Sequence, residues 1–130
     1  MGSRHVLTIL AVQDLRRAAH FYRAVFGWAQ PVDAPSYIEF ELDGGMRLGL
    51  YQREGFGRNT GRVPAPLPRG EIAPTELYFH VDDPLEMVER LHSAGARALS
   101  PLGPRDWGDE AAYFADPDGN VLVVARPLPK

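Results

Sequence analysis

The stretch from His5 to Gly27, HVLTILAVQDLRRAAHFYRAVFG, decides how this sequence folds. Residues 5–12 form a continuous apolar run of the kind that builds a buried strand. Asp14 has the side chain of a helix N-cap, and the apolar residues that follow it recur at helical spacing. Gly27 then marks the end of the helix. The stretch therefore predicts a β-strand that leads directly into an amphipathic helix.

A hairpin is predicted after this helix. Residues 36–42 alternate between apolar and polar side chains, which is typical of a half-buried strand. Asp43-Gly44-Gly45 is a turn, and residues 46–52 return as a second strand. The first half of the chain thus consists of a strand, a helix and a hairpin.

The same order of elements recurs later in the chain. The sequence predicts a strand over residues 75–81, a helix that begins after Asp83, and short strands over 96–99, 111–115 and 120–126. An internal repeat of this kind indicates two related structural modules.

The offset between the two halves is 69 residues, because Val12-x-Asp14 matches Val81-x-Asp83. Neither half can bury a sheet face alone, so we expect one α+β domain over residues 1–130 that contains modules 1–60 and 72–130. Residues 53–74 are rich in glycine, proline and arginine and lack periodicity, which predicts a loop that joins the modules.

Composition excludes several classes of protein. The chain has 130 residues, 45% of them hydrophobic and 24% charged, as in ordinary globular domains. No apolar run approaches the ~20 residues that cross a bilayer, and no signal peptide is visible, so we expect a cytoplasmic protein that does not bind membranes. The net charge of −3, without a basic cluster, argues against nucleic-acid binding. The absence of cysteine excludes disulfides and thiolate metal sites.

Two motifs resemble those of a known family. Val12-Gln13-Asp14-Leu15, His20-Phe21-Tyr22 and Val25-Phe26-Gly27 are similar to the opening motif of the vicinal oxygen chelate superfamily. The run from Trp107 to Asn120, which ends in ADPDGN, is similar to its closing motif. That superfamily includes glyoxalase I, bleomycin-resistance proteins, fosfomycin-resistance transferases and extradiol dioxygenases. The resemblance covers nearly the whole chain and implies two βαβββ modules whose mostly antiparallel sheets curl into a cup, in a protein that forms a homodimer.

The resemblance also implies where a metal would bind. In the metalloenzymes of the family, a divalent metal is held by side chains from the first and last strands of each module. The matching positions here are Leu7, Gly49, Glu76 and Val123. Leucine, glycine and valine offer no lone pair, and a metal needs three or four protein ligands. We therefore expect no metal and no other cofactor.

One alternative keeps a metal site in this chain. A shift of two residues in the first strand would put His5 in place of Leu7 and preserve the face of the strand. His5, Glu76 and His80 would then be candidate ligands for one divalent metal. A simpler interpretation leaves His5 near an exposed chain end and His80 as a hydrogen-bonded histidine.

The predicted cup is suited to a small molecule. Strand alternation puts Glu76, Tyr78 and His80 on one face, which the resemblance identifies as the face of the cup. The cup is mostly apolar and aromatic with few polar groups, as in small-molecule pockets. Trp107, on the loop before the strand at Ala111, is a candidate lid. The predicted ligand-binding residues are Leu7, Ile9, Arg47, Tyr51, Glu76, Tyr78, His80, Trp107, Tyr113 and Val123.

Three functions follow from this interpretation. The first is a metal-free protein that binds a small molecule, such as an antibiotic. The second is a lyase, transferase or dioxygenase that depends on a divalent metal. The third is a metal-independent enzyme that uses Glu76 or His80 as a general base, with His80 or Arg47 as the cation that pairs with a buried Glu76.

Overall fold

The computed structural model describes all residues from Met1 to Lys130, and they divide into two compact units. Unit 1 comprises residues 1–66 and unit 2 comprises residues 67–130. Unit 1 contains β1 (Leu7–Val12), α1 (Leu15–Phe26), β2 (Ala29–Asp33), β3 (Tyr37–Glu41), β4 (Arg47–Gln52) and α2 (Arg53–Thr60). Unit 2 contains β5 (Glu76–His80), α3 (Pro84–Ser93), β6 (Arg97–Pro104), β7 (Asp109–Ala115) and β8 (Val121–Pro127).

Unit 1 is a four-stranded sheet with α1 packed on it. The strand order is β1-β4-β3-β2, with β1 parallel to β4 and the other pairs antiparallel. The Asp14 side chain caps α1 by accepting a hydrogen bond from the Arg17 amide at 3.1 Å. At its other end Gly27 adopts a left-handed conformation with φ of +68°. The core between helix and sheet is fully buried around Tyr22, whose ring contacts that of Phe40.

Unit 2 repeats this plan. Its strand order is β5-β8-β7-β6, again with one parallel pair, β5 and β8. Asp83 caps α3, and Pro84 occupies the first turn, where a missing amide is tolerated. The helix packs on one face of the sheet, where Leu91 is fully buried and the His92 ring lies edge-on to Phe114. The other face, which carries Glu76, Tyr78, His80, Asp109, Tyr113 and Val123, is called the open face below.

The predicted fold class, α+β with two βαβββ modules, is confirmed by these two units. Their registers also agree with the 69-residue offset. Ile9 pairs with Gly49 across the parallel strands of unit 1, and Tyr78 pairs with Val123 in unit 2. Because Ile9 and Tyr78 are 69 residues apart, Gly49 and Val123 occupy equivalent positions.

The prediction of a loop over residues 53–74 was wrong for its first part, since residues 53–60 form α2. Two glycines and a low apolar content concealed this helix. Gly55 serves a packing role there, because a Cβ at this position would collide with the ring of Tyr51. Residues 61–75 contain no helix or strand.

The sequence also failed to predict one strand and the full length of two others. Strand β2 was missed because it is short and contains Pro31, a residue that disfavours strands. Strand β6 runs to Pro104 rather than residue 99, and its pairing shifts register around Pro101. Strand β7 begins at Asp109, two residues before the predicted start at Ala111. No helix of the chain has the length and apolar character that crossing a bilayer requires.

Candidate functional site

Four side chains meet on the open face of unit 2. The Tyr78 hydroxyl donates a hydrogen bond of 2.6 Å to Asp109 Oδ2, and His80 Nε2 lies 3.2 Å from the same oxygen. Trp107 Nε1 donates to the Tyr78 hydroxyl oxygen at 2.8 Å. We call Tyr78, His80, Trp107 and Asp109 the aromatic–carboxylate cluster.

Small residues on the intervening strand allow this cluster to form. Tyr78 and His80 alternate along β5, and β8 separates them from β7, where Asp109 lies. Val123 and Ala125 are their neighbours on β8, and both are fully buried. Because these two side chains are short, Tyr78 and His80 reach across β8 to the carboxylate.

Arg105 fixes the hairpin that carries Trp107. The Arg105 amide donates to the carbonyl of Asp109 at 2.7 Å, and Gly108 closes the turn with φ of +94°. The Arg105 guanidinium donates to the Ser100 hydroxyl and to two backbone carbonyls of β6 and β7, and it lies 4.9 Å from the centre of the Tyr113 ring. Trp107 therefore sits at the tip of a turn that is anchored at its base.

Asp109 is an ionised carboxylate with little exposure to water. The residue is 9% exposed, and the hydrogen bonds from Tyr78 and then His80 hold the pKa of its carboxyl below the ordinary value. Burial and the hydrogen bond to Asp109 raise the pKa of the Tyr78 phenol in turn. The pair is thus a neutral phenol and a carboxylate anion at neutral pH.

Aromatic surface surrounds this carboxylate. Trp107 is 58% exposed and Tyr78 is 39% exposed, although both are large and apolar. Exposed aromatic side chains grouped around a few fixed polar atoms are typical of ligand-binding surfaces.

Unit 1 carries a different polar group on the corresponding face. The Tyr37 hydroxyl donates to Glu39 Oε1 at 2.6 Å, and Arg47 Nη1 donates to Oε2 of the same carboxylate at 2.6 Å. The hydrogen bond from Tyr37 has the larger effect and that from Arg47 the next, and both lower the pKa of the Glu39 carboxyl from its ordinary value. The Tyr51 ring packs edge-on to Tyr37, 5.1 Å away between centres. We call Tyr37, Glu39 and Arg47 the unit 1 cluster.

The Tyr37 ring occupies the space in front of Gly49. A Cβ at position 49 would lie 2.8 Å from the ring carbons Cε1 and Cζ and closer still to the hydroxyl. The strand therefore has glycine here because the tyrosine ring crosses it. No metal-ligating side chain fits at position 49 while Tyr37 keeps this place.

The predicted ligand-binding residues fall in both units. Unit 1 holds Leu7, Ile9, Arg47 and Tyr51, and unit 2 holds Glu76, Tyr78, His80, Trp107, Tyr113 and Val123. Of these, the structure joins Tyr78, His80 and Trp107 in one hydrogen-bonded group. Leu7 and Ile9 lie on β1 beside Arg47 and Gly49.

The expected pairing of Glu76 was wrong. Glu76 is exposed and forms neither a hydrogen bond nor an ion pair. His80 contacts Asp109 instead, and Arg47 contacts Glu39. The candidate base His80 therefore has Asp109, and not Glu76, as its carboxylate partner.

The side chains of the chain do not fit a metal ion. No three or more histidine, aspartate or glutamate side chains are grouped so that they could hold one. His5 Nε2 lies 3.2 Å from the Leu7 carbonyl oxygen and 3.1 Å from the Thr8 hydroxyl. At the positions that the resemblance assigned, Leu7, Gly49 and Val123 provide no donor atom.

Sequence reasoning missed Asp109, Tyr37 and Glu39, although a signal for each was present. Tyr37 and Glu39 alternate with the buried Ile38 and Phe40, so the period of the predicted strand places them on the face of Gly49. Asp109 is two residues before Ala111 and shares its face once the strand is extended.

The fold defines a protein built from two βαβββ modules, each with a hydrogen-bonded carboxylate on one face of its sheet. The sequence model of the Glyoxalase/Bleomycin resistance protein/Dioxygenase superfamily matches residues 3–124, so the chain belongs to that superfamily.

Relatives include one close in length and one much longer. The uncharacterized protein YraH of Bacillus subtilis is 25% identical over 126 residues, which cover 92% of this chain and 94% of YraH. The anthracycline biosynthesis protein DnrV of Streptomyces peucetius is 29% identical over 90% of this chain, which spans 44% of DnrV. The crystal structure of a glyoxalase-related enzyme from Fulvimarina pelagi superposes with a TM-score of 0.82 at 26% identity and covers 95% of this chain and 87% of that one.

The close approach of Tyr37 to Gly49 predicts the effect of adding one methyl group. Gly49→Ala should destabilise the protein by about 1–3 kcal/mol, because an added methyl overpacks the site and pushes the ring away from Glu39. In a Tyr37→Ala background the same substitution should cost less than about 0.5 kcal/mol, a coupling that a double-mutant cycle measures by chemical denaturation. Gly103→Ala is the control, because a Cβ in that strand meets only the Pro101 carbonyl oxygen at 4.0 Å. An equal cost in both backgrounds would show that Tyr37 does not exclude a side chain at position 49.

The bond between Tyr78 and Asp109 predicts how the phenol titrates. Tyr78 should keep its proton to a higher pH than an ordinary tyrosine, and Asp109→Asn should lower its pKa by removing the charged acceptor. Carbon-13 labelling of tyrosine Cζ, with Tyr78→Phe to assign the resonance among the five tyrosines, follows this titration by NMR. The matched control is Glu89→Gln, which removes one carboxylate from the exposed side of α3. An unchanged Tyr78 pKa in Asp109→Asn would contradict the assigned hydrogen bond.

Proposed function

We propose that this chain is a metal-free small-molecule-binding protein and that its ligand stacks on Trp107 and Tyr78 of unit 2. The observation that carries the proposal is an exposed tryptophan and tyrosine held in place by a nearly buried, ionised carboxylate. Large flat side chains supply contact area with little loss of conformational freedom, and fixed hydrogen bonds orient them.

The donor chemistry supports binding without a metal. The four positions that the family resemblance assigns to ligands contain one carboxylate, Glu76, and no grouped set of donors surrounds it. A protein that sequesters a small molecule needs affinity and no reaction step, so the loss of the family's metal ligands leaves such a role intact. The alternative, a lyase, transferase or dioxygenase that depends on a divalent metal, requires donors that this chain does not group together.

A planar aromatic compound suits the surface best. Stacking on Trp107 and Tyr78 requires a flat ring system, and the relative DnrV carries a name that refers to anthracycline biosynthesis. An aromatic antibiotic is therefore one class of ligand within the proposal.

Fluorescence tests this proposal, because the chain has two tryptophans, one in each unit. In Trp28→Phe protein, Trp107 is the remaining reporter, and titration with 9-anthracenemethanol should quench it saturably. Because Trp107→Ala removes this reporter, its binding is followed by the fluorescence anisotropy of the anthracene itself, and it should be about tenfold weaker, roughly 1.4 kcal/mol, as the loss of one stacking partner predicts. Trp28→Phe is the matched control, since Trp28 stacks on Phe26 within unit 1 and should leave affinity unchanged.

The same titration distinguishes the metal-free proposal from the metal-dependent alternative. Binding should be equal before and after treatment with EDTA. Protein dialysed against nickel, cobalt, manganese, iron(II) and zinc should then retain much less than one ion per chain when counted by mass spectrometry. One tightly held ion per chain, or affinity that disappears with EDTA, would refute the metal-free proposal.

We also propose that the protein acts in the cytoplasm as a homodimer. Each sheet ends in two edge strands, β1 and β2 in unit 1 and β5 and β6 in unit 2, which a second copy can cover. Sedimentation equilibrium should give a mass near twice the 14.4 kDa of one chain. A monomer mass at micromolar concentration would contradict the dimer and leave the binding proposal in place.

A further inference from the structure

The tyrosine and the tryptophan of the aromatic–carboxylate cluster have no hydrogen-bond donor left for a ligand. The Tyr78 hydroxyl hydrogen is donated to Asp109, and the Trp107 indole N–H is donated to Tyr78. An ionised carboxylate only accepts, so the His80 nitrogen that faces Asp109 must carry a hydrogen. The side-chain donors of Tyr78 and Trp107 and the His80 nitrogen that faces Asp109 are therefore used inside the cluster.

Acceptors remain. Asp109 Oδ2 takes the bonds from Tyr78 and His80, whereas Oδ1 accepts no hydrogen bond from the protein. Oδ1 also reaches solvent, because the one fully buried side-chain polar atom without a partner is Arg105 Nε. In the singly protonated form of His80, the hydrogen on Nε2 leaves Nδ1 as a lone-pair acceptor, on a side chain that is 59% exposed.

The cation nearest to this surface is already engaged. Arg105 donates to the Ser100 hydroxyl and to the carbonyls of Pro101 and Ala111, and it stacks over Tyr113. The Tyr113 hydroxyl can accept or donate, and Glu76 adds a second exposed carboxylate on β5.

The net negative charge of unit 2 also favours cationic ligands over anionic ones. Residues 67–130 contain eleven aspartates and glutamates against six arginines and lysines, whereas unit 1 has six against eight. An anion approaching the open face of unit 2 meets like charge, and a cation meets opposite charge.

We propose that the cluster selects aromatic ligands that carry a protonated amine, which donates to Asp109 Oδ1 while the ring stacks on Trp107. This inference rests on the proposed function and adds the chemical class of the ligand. An ammonium offers several donors and a positive charge, so it satisfies the open acceptors. A neutral or anionic ligand with the same ring leaves the Asp109 charge without a partner.

Three probes with one ring system test this selection. They are 9-(aminomethyl)anthracene as the cation, 9-anthracenemethanol as the neutral form and anthracene-9-carboxylate as the anion. Fluorescence titration of Trp28→Phe protein at pH 7 should show the cation binding at least tenfold more tightly than the alcohol, and the carboxylate binding most weakly.

Asp109→Asn should abolish the discrimination. This variant keeps the shape of the side chain, and it should bring the affinities of cation and alcohol within threefold of each other while leaving that of the alcohol nearly unchanged. Glu89→Gln, which removes one negative charge on α3, should keep the full preference. Near-ultraviolet circular dichroism verifies that both variants are folded. If Asp109→Asn does not fold, Asp109→Thr, which also removes the charge and keeps an oxygen on this side chain, should likewise bring the affinities of cation and alcohol within threefold of each other.

The outcomes separate this inference from the proposed function. Trp107-dependent binding of all three probes with equal affinity would overturn the amine selection and leave the proposed function in place. Tighter binding of the carboxylate would also overturn it. If none of the three probes binds, both proposals fail. A cation preference that persists in both Asp109→Asn and Glu89→Gln would overturn the assignment to Asp109 and show that the general surface charge causes it.

Discussion

The open face of unit 2 depends on one oxygen atom, Oδ2 of Asp109. It accepts hydrogen bonds from Tyr78 and His80, and through Tyr78 it also fixes Trp107. An ionised carboxylate that is nearly buried is costly to keep unless donors surround it, and these donors come from a strand two positions away in the sheet. The charge therefore holds together residues from β5, β7 and the hairpin before β7, and the aromatic surface follows from that arrangement.

Each unit has a hydrogen-bonded carboxylate on one face of its sheet, but the two carboxylates differ in how many of their oxygens accept hydrogen bonds. In unit 1 both oxygens of Glu39 are used, one by Tyr37 and one by Arg47, so the charge is neutralised within the sheet. In unit 2 the carboxylate has two partners on one oxygen and none on the other. The first arrangement satisfies both oxygens of its carboxylate, whereas the second leaves one oxygen of Asp109 without a protein donor.

Sequence patterns were sufficient for the parts of the fold that depend on local rules. Asp14 and Asp83 cap their helices, and the match between the two Asp-Gly turns correctly aligned Gly49 with Val123, because capping, turns and strand alternation act within a few residues. Helix α2 was missed because its two glycines are determined by packing, Gly55 against the ring of Tyr51 on β4 and Gly57 against Val63 beyond the helix, and such contacts have no local sequence signal.

The same contrast between local patterns and contacts across elements explains why only part of the candidate site was predicted. Alternation on β5 was enough to place Tyr78 and His80 on one face, and Trp107 was identified as a loop aromatic. Asp109 was not identified, because its role depends on where β7 begins and on the short side chains of β8, which let residues from β5 reach it. Partners that meet across two strands have no fixed spacing in sequence, so pattern analysis paired His80 with the nearer Glu76 instead.

Aromatic rings stand next to both of the equivalent positions that the resemblance assigned to metal ligands on the last strands. In unit 1 the Tyr37 ring crosses Gly49, and in unit 2 Val123 is fully buried, with Tyr78 and Tyr113 as its strand neighbours. A side chain with a metal-binding atom would collide with the ring at position 49 and would replace a packed apolar group at position 123. Packing therefore accounts for the residue type at both positions: glycine where a ring crosses the strand, and valine where tyrosines are its neighbours on both adjoining strands. On the open face of unit 2, the carboxylate that keeps one oxygen without a protein partner is that of Asp109.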